Sequence, residues 1–223
     1  MIRPATLHFL TRLRQHNNRP WFEEHKADYR AAKEEVAAFA AAVEAALNQT
    51  DVIARSHVYR IYRDLRFTKK REHPYKDHLD VYLYRAGAER RGGYVFRIGP
   101  GVSQVGGGFF GPERDDLRRI RQELEFDSRP IERITRHPDF VRYFGELQGE
   151  AVKTAPQGFR KDHPNIAWIR KKQFYALRPF TDAAVVRDDF LEQTVATFRA
   201  LRPFFDYMSE VLTTNADGER LSE

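Results

Sequence analysis

Leu7, Leu10 and Leu13 recur at helical spacing, and the pattern stops at Asn17-Asn18, a pair suited to a left-handed cap. This predicts a short first helix. Pro20 fits the first turn of a second, in which Phe22, Tyr29, Val36 and Val43 follow at intervals of seven while His25, Ala32, Phe39 and Ala46 widen the stripe. Unbroken from Pro20 to Leu47, that helix would be about 42 Å long. Heptad spacing also fits a coiled-coil dimer, but the repeats are few and lack flanking rows of charge, so packing within the chain is the expectation.

From Ser56 the period drops to two: Tyr59, Ile61, Leu65 and Phe67 alternate with Arg60, Tyr62, Asp64 and Arg66, the pattern of a half-buried strand. A second strand reads from His78 to Tyr84, with Leu79, Val81 and Leu83 on one face and His78, Asp80, Tyr82 and Tyr84 on the other. Gly92-Gly93 turns the chain into a third, Tyr94 to Ile98, and Gly99-Pro100-Gly101 into a fourth, Val102 to Val105. Strands joined so closely pair antiparallel. Gly106-Gly107-Gly108 reads as a lead into a helix from Pro112, with Leu117, Ile120 and Leu124 as its apolar positions; shorter helical pieces follow around Ile131, Ile134 and Phe140 to Leu147. Gly149 to Pro164 reads as ordered loop, and Phe174 to Phe180 as a fifth strand. The last helix runs from Asp188 or Asp189 to Leu212, buries Val195, Phe198, Leu201, Phe205, Met208 and Leu212, and carries Pro203 as a candidate kink.

These elements predict one α+β domain over residues 1–212. An antiparallel sheet of four to five strands packs against long N-terminal and C-terminal helices, and 213–223 form a disordered tail. The length of 223 residues suits one core, and no apolar run approaches the ~18 residues of a membrane span. The N-terminal stretch lacks a secretory pattern, which makes the cytoplasm the expected location. With no Cys, disulfides and thiolate metal sites are excluded.

Charge then singles out one place. Arg60 to His78 carries seven Lys or Arg against three acids, an excess of four within a chain whose formal net charge is +6. Several short motifs in series, NNRPWFEEHKADY (17–29), RDLRF with PYK (63–76), GGGFFGPE (106–113) and LQGEAVKTAPQGFRKDHP (147–164), resemble the uncharacterised family catalogued as domain of unknown function 2461. The resemblance implies a single α+β domain and carries no activity, cofactor or catalytic residue. It points to Trp21, Lys26, Arg63, Asp64, Arg66, Lys76 and Lys153 as positions of interest.

Arg63 interrupts the apolar face of its strand and calls for a carboxylate, with Asp64 and Asp80 as candidates, or for a bound anion. Pro74 and Tyr75 anchor the loop exit and hold Lys76 more firmly than Lys69, Lys70 and Arg71. The glycine run before Pro112 is neither a P-loop nor a dinucleotide fingerprint, and close packing against the long helix is its expected role. His78, Asp80 and His57 lack metal-ligand spacing, so neither metal nor cofactor is expected. Two functional readings follow. In the first, the polar sheet face binds or acts on a phosphorylated or carboxylated small molecule through Arg60, Arg63, Arg66, Lys76, Arg97, Arg178, Tyr62 and Tyr82, with Asp64, Asp80 and His78 as catalytic candidates. In the second, Arg60, Arg66, Lys69, Lys70 and Arg71 bind nucleic acid beside stacking tyrosines. A monomer without membrane attachment is expected in either case.

Overall fold

The computed structural model describes residues 1–64, 73–215 and 219–220. In chain order the elements are α1 (Pro4–Gln15), α2 (Arg19–Glu24), α3 (Lys26–Leu47), β1 (Ile53–Val58), β2 (Leu79–Arg85), β3 (Gly93–Ile98), β4 (Gln104–Phe109), α4 (Arg114–Phe126), α5 (Arg129–Arg136), α6 (Pro138–Phe144), α7 (Ile166–Ile169), β5 (Phe174–Pro179), α8 (Asp182–Val185) and α9 (Phe190–Thr213). The strands form one open antiparallel sheet in the order β1-β2-β3-β4-β5, as a meander requires, and the fold is α+β. Backbone contacts gather the chain into two compact units. The first holds Met1–Tyr84, Val95–Val105 and Pro179–Ala196; the second holds Arg85–Tyr94, Gly106–Arg178 and Thr197–Glu223. Among the described residues no helix is long and apolar enough to cross a membrane.

In the first unit the stripe read from the sequence is the buried one: Tyr29, Ala32, Val36, Phe39, Val43 and Leu47 all point inward from α3. Phe39 meets Phe96 of β3 edge-on at 5.4 Å and stacks on Phe190 at 5.1 Å. The helix is nevertheless broken, because α2 ends at Glu24 and α3 starts at Lys26, with His25 as the cap between them. His25 has left helical geometry (φ −107°, ψ 21°), and its ring Nδ1 lies 2.8 Å from the Trp21 carbonyl, which its own amide also reaches. Ring and amide together satisfy the last turn of α2. Arg12 approaches the other ring nitrogen at 2.8 Å and Trp21 stacks on the imidazole at 4.0 Å, so the break is braced from α1.

Asn17-Asn18 is likewise not a left-handed cap, since no described non-glycine residue has a positive φ. Asn17 is buried and pairs with the Tyr75 backbone in both directions, Nδ2 to O at 2.9 Å and N to Oδ1 at 3.0 Å. Asn18 caps α2 by accepting from the Trp21 amide. The strand expected from Ser56 to Phe67 starts earlier and ends at Val58. After the Tyr59 amide bonds to the Asp80 carbonyl, the chain leaves β2 and pairs with the far side of its own loop: Tyr62 bridges Tyr75, Arg63 N–H donates to the Pro74 carbonyl and Lys76 N–H to the Ile61 carbonyl. Leu65, Arg66, Phe67, Lys69, Lys70 and Arg71 lie outside the described residues.

In the second unit the α9 stripe packs on Tyr94, whose ring lies 4.9 Å from both Phe198 and Phe205, while Phe109 meets Phe204 and Phe205 edge-on. Pro203 sits inside α9. The glycine run is not a lead into a helix: Gly106, Gly107 and Gly108 lie within β4. A Cβ at Gly106 would fall within 3.0 Å of the Ala176 carbonyl and Leu177 Cα, and one at Gly108 (φ +146°) would strike Phe174 and Tyr175. Close packing is therefore its role: Gly106 and Gly108 lie against the β5 backbone, while Gly107 lies against the Gly93 carbonyl and against Leu201 and Phe205 of the long helix α9. Of the expected tail, Thr213 ends α9 and Thr214 bridges Arg220; residues 216–218 and 221–223 lie outside the described set.

Candidate functional site

The period of two in β2 sends Leu79, Val81 and Leu83 into the core and leaves Asp80, Tyr82 and Tyr84 half-buried on the opposite face. In β3 the same rule buries Phe96 and Ile98 and turns Arg97 to the other face. Asp80 and Arg97 thus become cross-strand neighbours, with Arg97 Nε 2.7 Å from Asp80 Oδ1. Lys76 Nζ reaches Asp80 Oδ2 at 3.2 Å, and His78 Nε2 lies 3.4 Å from the same oxygen. The His78 ring lies between two carboxylates, its Nδ1 3.0 Å from Asp77 Oδ1. Arg14 Nε donates to Asp77 Oδ2 at 2.7 Å and Arg14 also bonds the Pro100 carbonyl, which ties α1 to this corner.

Tyrosines extend the cluster toward β1. The Tyr59 and Tyr84 hydroxyls are 3.4 Å apart, the Tyr82 and Tyr84 rings 4.5 Å apart, and Lys76 lies 5.8 Å from the centre of the Tyr59 ring. The Arg55 guanidinium covers the Tyr84 ring at 4.4 Å. The Tyr84 hydrogen bond, with burial second, pushes the Tyr59 hydroxyl up to about 12, and burial raises Tyr82 as well. Both stay protonated at neutral pH and can donate. Burial alone would raise the Asp80 carboxyl, but hydrogen bonds from His78 and Arg97 outweigh it and hold Asp80 below the ordinary carboxylate range. A carboxylate held so firmly in its charged form is a poor general base. What Asp80 can do is fix the Lys76 ammonium and the Arg97 fork in place.

Other candidates are elsewhere. Arg60 is exposed, and Tyr62 packs against Phe22 and Tyr75 at 5.7 and 5.4 Å. Arg63 is half-buried, and its Nε donates to the Tyr75 carbonyl at 2.8 Å; the expected pairing with Asp80 is not formed, because that carboxylate is engaged by Lys76, His78 and Arg97. Asp64 ends the described part of its segment, and Arg66 lies outside it. Arg178 belongs to the second unit, on the same alternates as buried Phe174 and Ala176, and donates to Thr197 Oγ1 at 3.0 Å. Arg55 and Tyr59 escaped sequence reasoning. Tyr59 stands on the apolar alternates of the expected strand, and nothing within one strand tells that Arg55 will cover a ring on its neighbour.

The electrostatics yield a testable pH dependence. Because the folded state depresses Asp80, its contribution to stability is complete above the unfolded value of about 4 and is lost as pH falls from there toward the folded one. Asp80→Asn is expected to cost about 2 kcal/mol at pH 7, and urea unfolding at pH 3 should show a smaller gap from wild type. A gap independent of pH would show that the carboxylate charge is not what holds the cluster.

No curated protein and no solved structure matches the chain. A family model does, over residues 5–207, a span that includes every residue of the Asp80 cluster, and the chain belongs to that family, described as conserved hypothetical protein DUF2461.

Proposed function

We propose that the cationic, tyrosine-lined face of β1–β3 binds a phosphorylated or carboxylated small molecule. The observation that carries this reading is the gathering of fixed yet accessible cations about the Asp80 carboxylate and the tyrosines beside it. Lys76 and Arg97 are held by Asp80 while their side chains remain 27% and 33% exposed, and the Arg55 guanidinium lies over the Tyr84 ring. Arg14, Arg55, Lys76 and Arg97 against Asp77 and Asp80 leave the face positive. A guanidinium already oriented by one carboxylate loses little freedom when its remaining N–H groups meet a phosphate or a second carboxylate, and the protonated tyrosines add neutral donors. These groups gather at one place, which favours a compact ligand over an extended strand.

Thermal unfolding with a sugar phosphate or nucleoside monophosphate tests this. At a ligand concentration about a hundredfold above Kd, wild type should gain about 2.7 kcal/mol, or about 5–11 °C. Arg55→Gln with Arg97→Gln should abolish the gain. A wild type that does not respond, or a double variant that responds equally, overturns the reading. Stabilisation by any oligonucleotide, increasing with length and lost steeply with salt, would favour nucleic acid instead.

A further inference from the structure

Helix α4 is unusual in where its arginines go. Arg119 is spent on the carbonyls of Val211 and Thr214. In the same unit Arg91, Arg129 and Arg160 pair with Asp116, Asp127 and Asp162. Arg114, Arg118 and Arg121 follow at intervals of four and three, which places them one above another on one side of the helix. No carboxylate among the described residues forms an ion pair with any of the three. Three neighbouring guanidiniums with no ion-pair partner repel one another, which the fold tolerates at some cost.

The row faces a wall. Pro156, Gln157, Gly158 and Phe159 stand across from it, and the two sides enclose a groove of about 620 Å³. Arg121 is the deepest of the three. One of its terminal nitrogens donates to the Lys171 carbonyl at 3.2 Å, while its Nε is buried and meets no acceptor. Buried charged donors are normally satisfied, and the Arg121 Nε is left without a partner on the groove's own lining. Burial also draws Arg121 below the ordinary arginine range, with no carboxylate opposing the shift. Asp115 and Glu125 stand among the groove's lining residues and moderate the field without pairing with the arginines.

We infer that this groove is a second anion site, separate from the β1–β3 face, which takes a ligand bearing two or more linked phosphates. The row from Arg114 to Arg121 rises about 10 Å along the helix axis. That is longer than one phosphate and is matched by a short chain of them, each within reach of one fork. Gln122 and Gln157 supply uncharged donors, and Phe159 gives an organic group attached to the phosphates an apolar surface.

Titration calorimetry of the full chain with inorganic pyrophosphate and tripolyphosphate tests the assignment. Wild type should bind tripolyphosphate saturably and more tightly than pyrophosphate, with affinity falling as salt rises, and any further event at the sheet face should be separable as the part that Arg97→Gln removes. Arg118→Glu, at an exposed position, should weaken tripolyphosphate at least about tenfold, and Arg114→Glu should do the same if Arg118→Glu fails to fold. Arg97→Gln, on the sheet face, should leave unchanged the binding event that Arg118→Glu weakens. Absent saturable binding in wild type, or wild-type affinity in both Glu variants, overturns the site. Loss in Arg97→Gln with none in Arg118→Glu also overturns it, while leaving the sheet-face reading intact.

Discussion

Gly106→Ala is expected to destabilise the protein by at least about 3 kcal/mol, or about 6–12 °C of melting temperature, although it adds one methyl group. That methyl would lie within 3.0 Å of three atoms, the carbonyl oxygen and carbon of Ala176 and Cα of Leu177, and all three are backbone. A side chain in the way can change rotamer; a strand backbone moves only by disturbing its ladder. Ala176 is fully buried in β5, so displacing its carbonyl also disturbs the packing of its neighbours Phe174 and Tyr175. Gly111→Ala is the control. A Cβ there meets nothing within 4 Å, and that variant should melt within about 2 °C of wild type. Equal melting of the two variants would show that the close approach of β4 and β5 does not constrain position 106.

The same glycines show where the sequence stops being readable. Gly-Gly-Gly has no side-chain periodicity, and glycine weakens strands in general, so three in a row read as a connection. The fact that makes them a strand is the path of β5, some seventy residues later in the chain. The long α3 and α9 stripes were legible because helical burial is set by local spacing alone. The break at His25 was not, since it depends on the ring bonding the Trp21 carbonyl and on an arginine arriving from α1.

Half of the candidate site follows from one rule. Alternation in β2 and β3 suffices to put Asp80, Tyr82 and Arg97 on the face away from Leu79, Val81 and Phe96. The extension of that face through Arg60 and Arg66 relied on a strand that would continue past Val58, and a period of two cannot show when a strand exchanges its partner. Parity would have corrected Arg178, which stands two and four residues beyond Ala176 and Phe174 and shares their side of β5.

Parity also exposes a residue that the sequence reading passed over. Continuing Leu79, Val81 and Leu83 by one step puts Arg85 on the buried side of β2, where its side chain is 1% exposed. Its guanidinium donates to the Arg91 carbonyl at 3.0 Å and to Asp206 at 3.2 Å, and lies 5.3 Å from the Phe205 ring centre. Asp206 is itself 53% exposed and also accepts from Arg202, so its attraction for Arg85 is screened by water while Arg85 bears the full desolvation. The stabilising part of Arg85 is therefore the volume its buried side chain fills beside Phe205 more than its ion pair with Asp206. On that basis Arg85→Ala should cost about 3–5 kcal/mol, because it leaves a cavity beside α9. Arg85→Met keeps most of the volume, discards the buried charge, and should cost less than about 1.5 kcal/mol. Urea unfolding of both variants separates volume from charge. If Arg85→Met were as damaging as Arg85→Ala, the ion pair with Asp206 and the bond to Arg91 would be what holds β2 to α9 in this unit, and the packing account would be rejected.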